Sequence, residues 1–292
     1  MIDEPSDSPV RAAATVVMLR DGAGGLEVFL LKRHGLSDVL GGAYVFPGGK
    51  VDLADADLDL EAHLDTPAQV LHAALAEPQT DEHAAAVLYV AALREAFEES
   101  GVLFAQGADS ARAGLASRML REGHSFEEVL CLLSLRLEAS RLQPWSRWIT
   151  PRVGGVIRKR FDTRFFLAPF PAGQVAHHDN HEATESSWLA PRAALQQYWD
   201  GVIELAPPQI MSLAHLARHD TVDGALAQAR QHPPPVVLPE PFELDGVRFI
   251  CYPGDARHSV RERALPGPTR LHYRNRRFEP LEGFEGLFAD PG

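Results

Sequence analysis

The segment DEHAAAVLYVAALREAFEESG, residues 81–101, constrains the fold of this chain more than any other stretch. Apolar residues fill most of its first half, which is typical of a helix that is buried on at least one side. Gly101 follows the last charged turn and suits the position that ends a helix in the left-handed conformation. The segment therefore predicts a long, buried helix, whose apolar residues include Val87, Val90, Ala91 and Leu93.

Three carboxylates occupy the end of this predicted helix. Glu95, Glu98 and Glu99 stand at i, i+3 and i+4, so their side chains share one helical face. Like charges at this spacing repel each other, and the negative end of the helix dipole adds to the cost. A solvated surface face is the simplest interpretation, but the apolar turns before it favour burial. Carboxylates gathered in an unfavourable place indicate a divalent cation such as Mg²⁺ or Mn²⁺, which prefers hard oxygen ligands.

The composition disfavours several classes of protein. The 292 residues carry 40 acidic and 28 basic side chains, and the formal net charge of −12 argues against a nucleic-acid binder. An anionic small molecule stays compatible if a metal ion or local arginines offset the repulsion. The two cysteines, Cys131 and Cys251, favour a reducing compartment. Because the N-terminus has no apolar signal region and no run of about 18 apolar residues follows, we expect a cytoplasmic protein with no membrane partner.

Strands and helices alternate along the chain, with adjacent hairpins, which predicts an α/β layered fold with a mixed sheet. A hairpin of strands 12–19 and 26–33 comes first, and a short strand within 41–52 runs into a Pro-Gly-Gly turn. Ser125 is the expected N-cap of a helix. The other expected elements are one or two helices within 53–83, helices at 109–122 and 125–139, a strand at 160–170, helices at 191–201, 206–219 and 223–231, and a hairpin about Asp245-Gly246.

The acidic helix and the glycine turn together resemble the Nudix hydrolase family. Its motif is a glycine, five residues, a glutamate, seven residues, and then Arg-Glu-Φ-x-Glu-Glu-x-Gly-Φ, where Φ is aliphatic. The second half matches at every fixed position over 94–102. In the first half, Gly49 is followed after five residues by Asp55, where the family has glutamate. The 38 residues between Asp55 and Arg94 exceed the family spacing by about 31, but a loop can lengthen at small entropic cost while its ends stay fixed.

This resemblance implies a fold, a cofactor and a reaction. The fold is a Nudix α/β/α sandwich, here with an insertion inside the Nudix box, about 56–86, and a C-terminal extension. The resemblance implies that Glu95, Glu98 and Glu99 hold Mg²⁺ or Mn²⁺, and that Arg94 orients a carboxylate such as Glu98. The implied reaction is hydrolysis of a nucleoside diphosphate linked to another moiety. A bound metal lowers the pKa of water and neutralises phosphoryl charge, while one carboxylate takes the proton.

The order of the flanking segments narrows the resemblance. FLLKR, FPGGKVDLAD, AALREAFEESGVLF, RFDTRFF, PPQ and YPGD follow one another within about residues 10–256. This succession is similar to the Nudix branch that includes the mammalian peroxisomal coenzyme A diphosphatase. The branch implies cleavage of coenzyme A or acyl-CoA to 3′,5′-ADP and (acyl-)phosphopantetheine. One departure is Asp38, which stands where other coenzyme A Nudix enzymes carry an arginine.

Candidate substrate-binding residues lie outside the acidic helix. Coenzyme A carries a diphosphate and a 3′-phosphate, so cationic partners are expected. A Gly-Gly turn can bring backbone groups close to a metal or a phosphate. A solvated strand edge is the competing explanation for each cation. The predicted substrate-binding residues are Lys32, Arg33, Gly48, Gly49, Arg160 and Arg164.

A further acid is expected from the loop NHEATESSW at 180–188. Glu182 and Glu185 are the candidates for a ligand or a general base, and Glu182 is preferred because it lies farther out in the loop. Together with the box, this predicts a catalytic set of Glu95, Glu98, Arg94 and Glu182.

The sequence also predicts domain bounds and leaves several functions open. Residues 1–10 are expected to form a disordered tail, 11–205 the Nudix domain, and 206–292 a helical and hairpin extension packed on that domain. The expected partner is a small nucleotide-type substrate, and a homodimer is compatible with the sequence. ADP-ribose, NADH or a nucleotide sugar are alternative substrates. A non-catalytic nucleotide-binding Nudix module and a purely structural acidic helix are the alternatives outside catalysis.

Overall fold

The fold is built on a mixed sheet of eight strands. The computed structural model describes residues 10–35, 41–152, 159–179 and 182–289. The strands of the sheet are β1 Val10–Gly22, β2 Gly25–Arg33, β3 Tyr44–Val45, β4 Gly48–Lys50, β5 Gln143–Ile149, β6 Arg160–Pro169, β7 Ala183–Leu189 and β8 Val236–Val237. They run in the order β3-β2-β1-β6-β5-β8, with β4 beside β1 and β7 beside β2. The β1–β6 and β5–β8 pairs are parallel and the others antiparallel, which confirms the predicted mixed sheet.

Helices cover both faces of this sheet. They are α1 Leu53–Asp57, α2 Leu60–His63, α3 Ala68–Leu75, α4 Glu82–Ser100, α5 Ser110–Arg121, α6 Phe126–Leu132, α7 Pro191–Trp199, α8 Pro207–Leu216 and α9 Val222–Ala229. One core contains residues of α3, α4, α5 and α6 with Phe166 of β6, and the other contains residues of α7, α8 and α9 with Phe165. Adjacent strand residues thus point to opposite layers. The predicted α/β/α sandwich is confirmed.

The acidic helix α4 forms where the sequence predicts it. The Asp81 side chain accepts a hydrogen bond from the backbone N–H of Ala84 at 2.7 Å and so caps the first turn. At the other end Gly101 adopts φ 69°, and its N–H donates to the Phe97 carbonyl at 2.8 Å. A Cβ at Gly101 would lie 2.3 Å from the imidazole of His177, so no larger residue fits this cap without displacing that ring.

The insertion between Asp55 and Arg94 is part of the folded core. Leu71 and Leu75 of α3 are buried in the same core as α4. Glu77, which follows α3, is also buried and forms an ion pair with the sheet. The lengthened Nudix box therefore folds as additional helices packed on the sheet.

The sequence prediction found no strand at β5 or β8, and it differs from the structure in helix α6 and in a second sheet. Helix α6 begins at its predicted cap, Ser125, but ends at Leu132, short of residue 139. Ser134 adopts φ 47°. In the segment that follows, Leu135 and Leu137 are buried, the residue between them is exposed, and Leu137 forms a β-bridge with Leu64. The predicted helix 125–139 is therefore wrong beyond Leu132, because alternate burial is typical of an extended chain.

A second sheet, which the prediction found only in part, follows the helices. Its strands are β9 Glu240–Leu244, β10 Val247–Cys251, β11 Arg270–Arg274 and β12 Arg277–Glu279, in the order β12-β11-β10-β9. The turn at Asp245-Gly246 is confirmed, with φ 51° and 74°. Strands β11 and β12 were missed. The predicted tail at 1–10 lies, apart from Val10, outside the described residues, and the division at 205/206 stays a proposal. No helix among the described residues is long and apolar enough to cross a membrane.

Candidate carboxylate site at the end of helix α4

Arg94 is the centre of the candidate site. Its Nε donates to Oδ1 of Asp55 at 2.6 Å, and its Nη2 donates to Oδ2 of the same carboxylate at 2.8 Å. Arg94 is 7% exposed and Asp55 2% exposed, so this two-bond pair is shielded from water. Asp55 also accepts a hydrogen bond from the backbone N–H of Asp52 at 2.8 Å, which ties α1 to the site.

The other edge of the Arg94 guanidinium holds two glutamates of its own helix. Nη1 donates to Glu95 Oε1 and to Glu98 Oε2, each at 3.0 Å. The Lys50 carbonyl accepts a further bond from Nη2 at 3.2 Å. Arg94 thus pairs with Glu98, as the resemblance implied. It also pairs with Asp55, which sequence reasoning left outside the predicted site, although Asp55 stands at the position of the first-half glutamate.

The glycine turn packs directly against the carboxylates. The backbone N–H of Gly48 donates to Glu99 Oε2 at 2.9 Å. A Cβ at Gly49 would lie 2.5 Å from the carboxyl carbon of Glu95, closer than side-chain atoms approach. Because β4 pairs with β1 in the sheet, the turn and the end of α4 are held together by the fold. A Cβ at Gly48 would meet the backbone of Ala14 and Thr15 at 2.4 and 2.6 Å, whereas a Cβ at Gly49 would displace the Glu95 carboxylate.

The carboxylates of this cluster are difficult to ionise. Burial raises the pKa of Glu95 to about 7, with Arg94 opposing the shift and Glu98 and Glu182 adding to it. Burial also raises the pKa of Glu99 to about 8, against the stabilising hydrogen bond from Gly48. The pKa of the more exposed Glu98 is raised for the same main reason. Three neighbouring carboxyl groups with raised pKa values form a site that favours a cation.

The end of β2 and the start of β7 border the cluster. The Glu182 carbonyl accepts a hydrogen bond from His34 N–H at 2.8 Å, and the Glu182 carboxylate lies 3.9 Å from Arg33 Nη2. Glu182 acts electrostatically on both Glu95 and Glu99, and its catalytic role stays a prediction. The Nε of Arg33 is buried and has no hydrogen-bond partner among the described residues.

Glu185 has a different surrounding from Glu182. It lies 3.3 Å from Lys32 Nζ and accepts a hydrogen bond from Tyr44. Burial, and next this hydrogen bond, raise the pKa of Tyr44 to about 12. Glu182 contributes to the raised pKa values of Glu95 and Glu99, and its preference over Glu185 as the additional acid stays a prediction.

Arg160 and Arg164 are not brought to the carboxylate cluster. Both are buried, and Arg160 donates two bonds to the Thr150 carbonyl at 3.2 and 3.1 Å. The guanidinium of Arg164 binds Glu77 through Nε and Nη2, at 3.0 and 2.6 Å, and also contacts Asp162. We correct the prediction for Arg164, because its cation is used to hold the insertion to the sheet and is not displayed to a substrate. The contacts of Arg160 give its predicted role no support.

A divalent cation fits this site by the chemistry and charge of the donors. Among the described residues, this cluster holds six carboxylates, those of Asp52, Asp55, Glu95, Glu98, Glu99 and Glu182, and the three cations that they contact are Arg33, Lys50 and Arg94. Carboxylate oxygens are the preferred ligands of Mg²⁺ and Mn²⁺. In the described part of the chain, no three such groups already converge on one point as a preformed metal site.

Comparisons with known proteins agree with this arrangement. The family model described as NUDT19 Nudix domain matches residues 10–216. The chain is 29% identical over 276 residues to the human acyl-coenzyme A diphosphatase NUDT19, covering 80% of this chain and 72% of the relative. The Xenopus laevis protein of the same name is 28% identical over 225 residues, 65% of this chain and 59% of its own length. A putative nudix hydrolase 7 of Caenorhabditis elegans is 26% identical over 268 residues, 89% and 78% of the two chains.

A solved structure supports the fold. The crystal structure of a Nudix hydrolase from Alicyclobacillus acidocaldarius superimposes with a TM-score of 0.61 at 28% identity. The match covers 76% of this chain and 97% of that one. This match supports the Nudix fold of the chain.

Proposed function

Since the chain belongs to the Nudix hydrolase family, in the branch of the NUDT19 Nudix domain, we propose that it hydrolyses the diphosphate of coenzyme A or acyl-CoA. The products would be 3′,5′-ADP and (acyl-)phosphopantetheine. The observation that carries the proposal is the cluster of Glu95, Glu98 and Glu99 at the end of α4, in which Glu99 is buried against Gly48 and Arg94 binds the other two.

The three glutamates are the proposed ligands of a divalent cation, Mg²⁺ or Mn²⁺. When bound, such an ion activates water and neutralises charge on the phosphoryl oxygens. Arg94 positions Glu95 and Glu98 through two bonds of 3.0 Å, and Asp55 fixes Arg94 in turn. Glu95 is one proposed acceptor of the proton from the attacking water, since its pKa is raised to about 7 and a general base works best with a pKa near the working pH. Glu182, which borders the cluster, is the other proposed acceptor.

Arg33 is the proposed contact to a substrate phosphate. Its guanidinium lies beside Glu182 and acts on Glu99, and its Nε has no hydrogen-bond partner among the described residues. Lys32 is proposed as a second cation at the same strand end, where it now contacts Glu185. The N–H groups of the Gly48-Gly49 turn border the same space.

The names of the relatives favour coenzyme A over ADP-ribose, NADH or a nucleotide sugar as the substrate. Asp38, where other coenzyme A Nudix enzymes have an arginine, lies outside the described residues. A single experiment separates the alternatives: the full chain is incubated with Mg²⁺ or Mn²⁺ and, separately, coenzyme A, an acyl-CoA, ADP-ribose, NADH and a nucleotide sugar, and the products are identified by mass.

The proposal expects 3′,5′-ADP from coenzyme A and acyl-CoA at the highest kcat/KM. Faster release of AMP from ADP-ribose or NADH would show that the proposed substrate is wrong and that the proposed reaction class is right. Hydrolysis of none of them, with nucleotide binding retained, would favour the non-catalytic module. Glu98→Gln is the control, because loss of its charge should abolish turnover while the protein stays folded. A cytoplasmic location and a homodimer remain parts of the proposal that this assay does not address.

A further inference from the structure

Cys131 and His63 form a thiol–imidazole pair outside the carboxylate site. The Sγ of Cys131, in the last turn of α6, lies 3.4 Å from Nε2 of His63, at the end of α2. Nδ1 of the same ring lies 3.3 Å from the Leu135 carbonyl, which can only accept a hydrogen bond. Nδ1 is therefore the protonated nitrogen of the neutral ring, and Nε2 is free to accept the thiol proton.

The surroundings fix the imidazole and leave the cysteine accessible. His63 is 8% exposed, and its carbonyl accepts the Leu137 N–H at 2.7 Å, so α2 is held to the 135–137 segment. Cys131 is exposed, although free cysteines are among the most buried residues in proteins. A nucleophile beside a base that a third group orients is the arrangement that activates thiols.

We propose that Cys131 is a modification site that reacts with small disulfides, with His63 as its base. The Cys131 proton moves to Nε2, and the thiolate sulfur attacks one sulfur of the disulfide. A mixed disulfide forms on Cys131 as the S–S bond of the reagent breaks, and the departing thiolate takes the proton from His63. Cys131 is oxidised, and half of the reagent is reduced to a thiol.

His63 carries the reactivity in this arrangement. Cys131 lies at the C-terminal end of α6, where the helix dipole disfavours a thiolate, and Glu127 and Glu128 precede it on the same helix. An ordinary thiol is only about 3% thiolate at pH 7, so a neighbouring base can raise its reaction rate by up to about 30-fold. The gain is reduced by the lower nucleophilicity of a more acidic thiol, so roughly tenfold is expected.

The test measures the reaction of the full chain at pH 7 with glutathione disulfide and with an aromatic disulfide that releases a coloured thiol. The chain offers its own reference, because Cys251 is buried, and its pKa is raised to about 11, first by burial and then by Asp255 and Glu240. One fast equivalent should react, peptide mass spectrometry should place it on Cys131, and Cys131→Ser should remove it.

Two histidine variants separate activation from packing. His63→Gln should slow the fast phase roughly tenfold, whereas His72→Gln should leave it unchanged. His72 lies on the neighbouring α3, and its Nε2 contacts the Glu77 carbonyl instead of a thiol. A parent rate in His63→Gln, or equal labelling of the two cysteines, would overturn the proposal.

If a thermal melt shows that His63→Gln does not fold, the pH dependence of labelling in the parent protein tests the proposal instead. Its labelling rate should rise less between pH 7 and pH 9 than that of a free cysteine peptide. An equal rise would mean that the imidazole does not assist the thiol.

Discussion

Replacing Asp55 by asparagine tests whether the Arg94–Asp55 pair holds the site together. The two side chains share bonds of 2.6 and 2.8 Å at 7% and 2% exposure. Asparagine keeps the shape, but it removes the charge and can turn an N–H₂ toward the Arg94 donors. Breaking one partner of a buried ion pair costs about 3–5 kcal/mol, because the other charge is left without compensation.

The expected loss of unfolding free energy in Asp55→Asn is at the lower end of that range or below it. Arg94 retains Glu95 and Glu98 at 3.0 Å, so its charge is not isolated. We expect Asp55→Asn to lower the free energy of unfolding by about 2–3 kcal/mol. For a chain of this size, this corresponds to a decrease in Tm of roughly 3–5 °C. Because Arg94 also positions two proposed ligands, kcat should fall at least tenfold.

Urea unfolding and steady-state kinetics on the same preparations measure both effects. Asp57→Asn is the matched control: it removes an exposed carboxylate from the same helix α1, and should stay within about 0.5 kcal/mol of the parent. If Asp55→Asn behaved like Asp57→Asn in stability and turnover, the proposed role of the pair would be refuted.

Three further outcomes follow from the same geometry. Without metal, the free energy of unfolding should fall as pH rises from about 5 to about 8, because the raised pKa values of Glu95 and Glu99 mean that the folded protein loses two protons over this range. The slope should be up to about 1.4 kcal/mol per pH unit for each group. Urea unfolding in the presence of a chelator measures this slope, and a level or rising profile would contradict it. Gly49→Ala should displace the Glu95 carboxylate and lower kcat, whereas Gly24→Ala, whose added Cβ meets open space, should match the parent in the same assay. Glu182→Gln should lower kcat more than Glu185→Gln does, and the reverse order would exchange the two assignments.

Local rules were sufficient to predict the helix that carries the site. The apolar run before Glu95 and the glycine at 101 both act within one element, and the structure agrees within a residue or two. Glu95, Glu98 and Glu99 could be grouped by their spacing alone. The grouping of the Gly-Gly turn with them came from the family resemblance.

The remaining features depend on contacts between distant segments. Asp55 and Arg94 are 39 positions apart, and no spacing rule predicts that the folded insertion returns them to hydrogen-bond distance. The buried pairing of Arg164 with Glu77 spans 87 positions and removes from the surface a cation that the sequence had assigned to the substrate. Likewise, Leu137 pairs with Leu64, which is 73 positions earlier, and no local pattern predicts the extended conformation that this pairing requires.

The most direct test of the carboxylate site is the affinity of the protein for Mn²⁺, measured by titration calorimetry on the folded chain. Glu99→Gln removes one buried carboxylate of the cluster, and Glu82→Gln removes an exposed one at the other end of the same helix. We predict that Glu99→Gln weakens Mn²⁺ binding at least tenfold, and that Glu82→Gln binds like the parent. Equal Mn²⁺ affinity in the parent and in both variants would contradict a metal site at the end of α4.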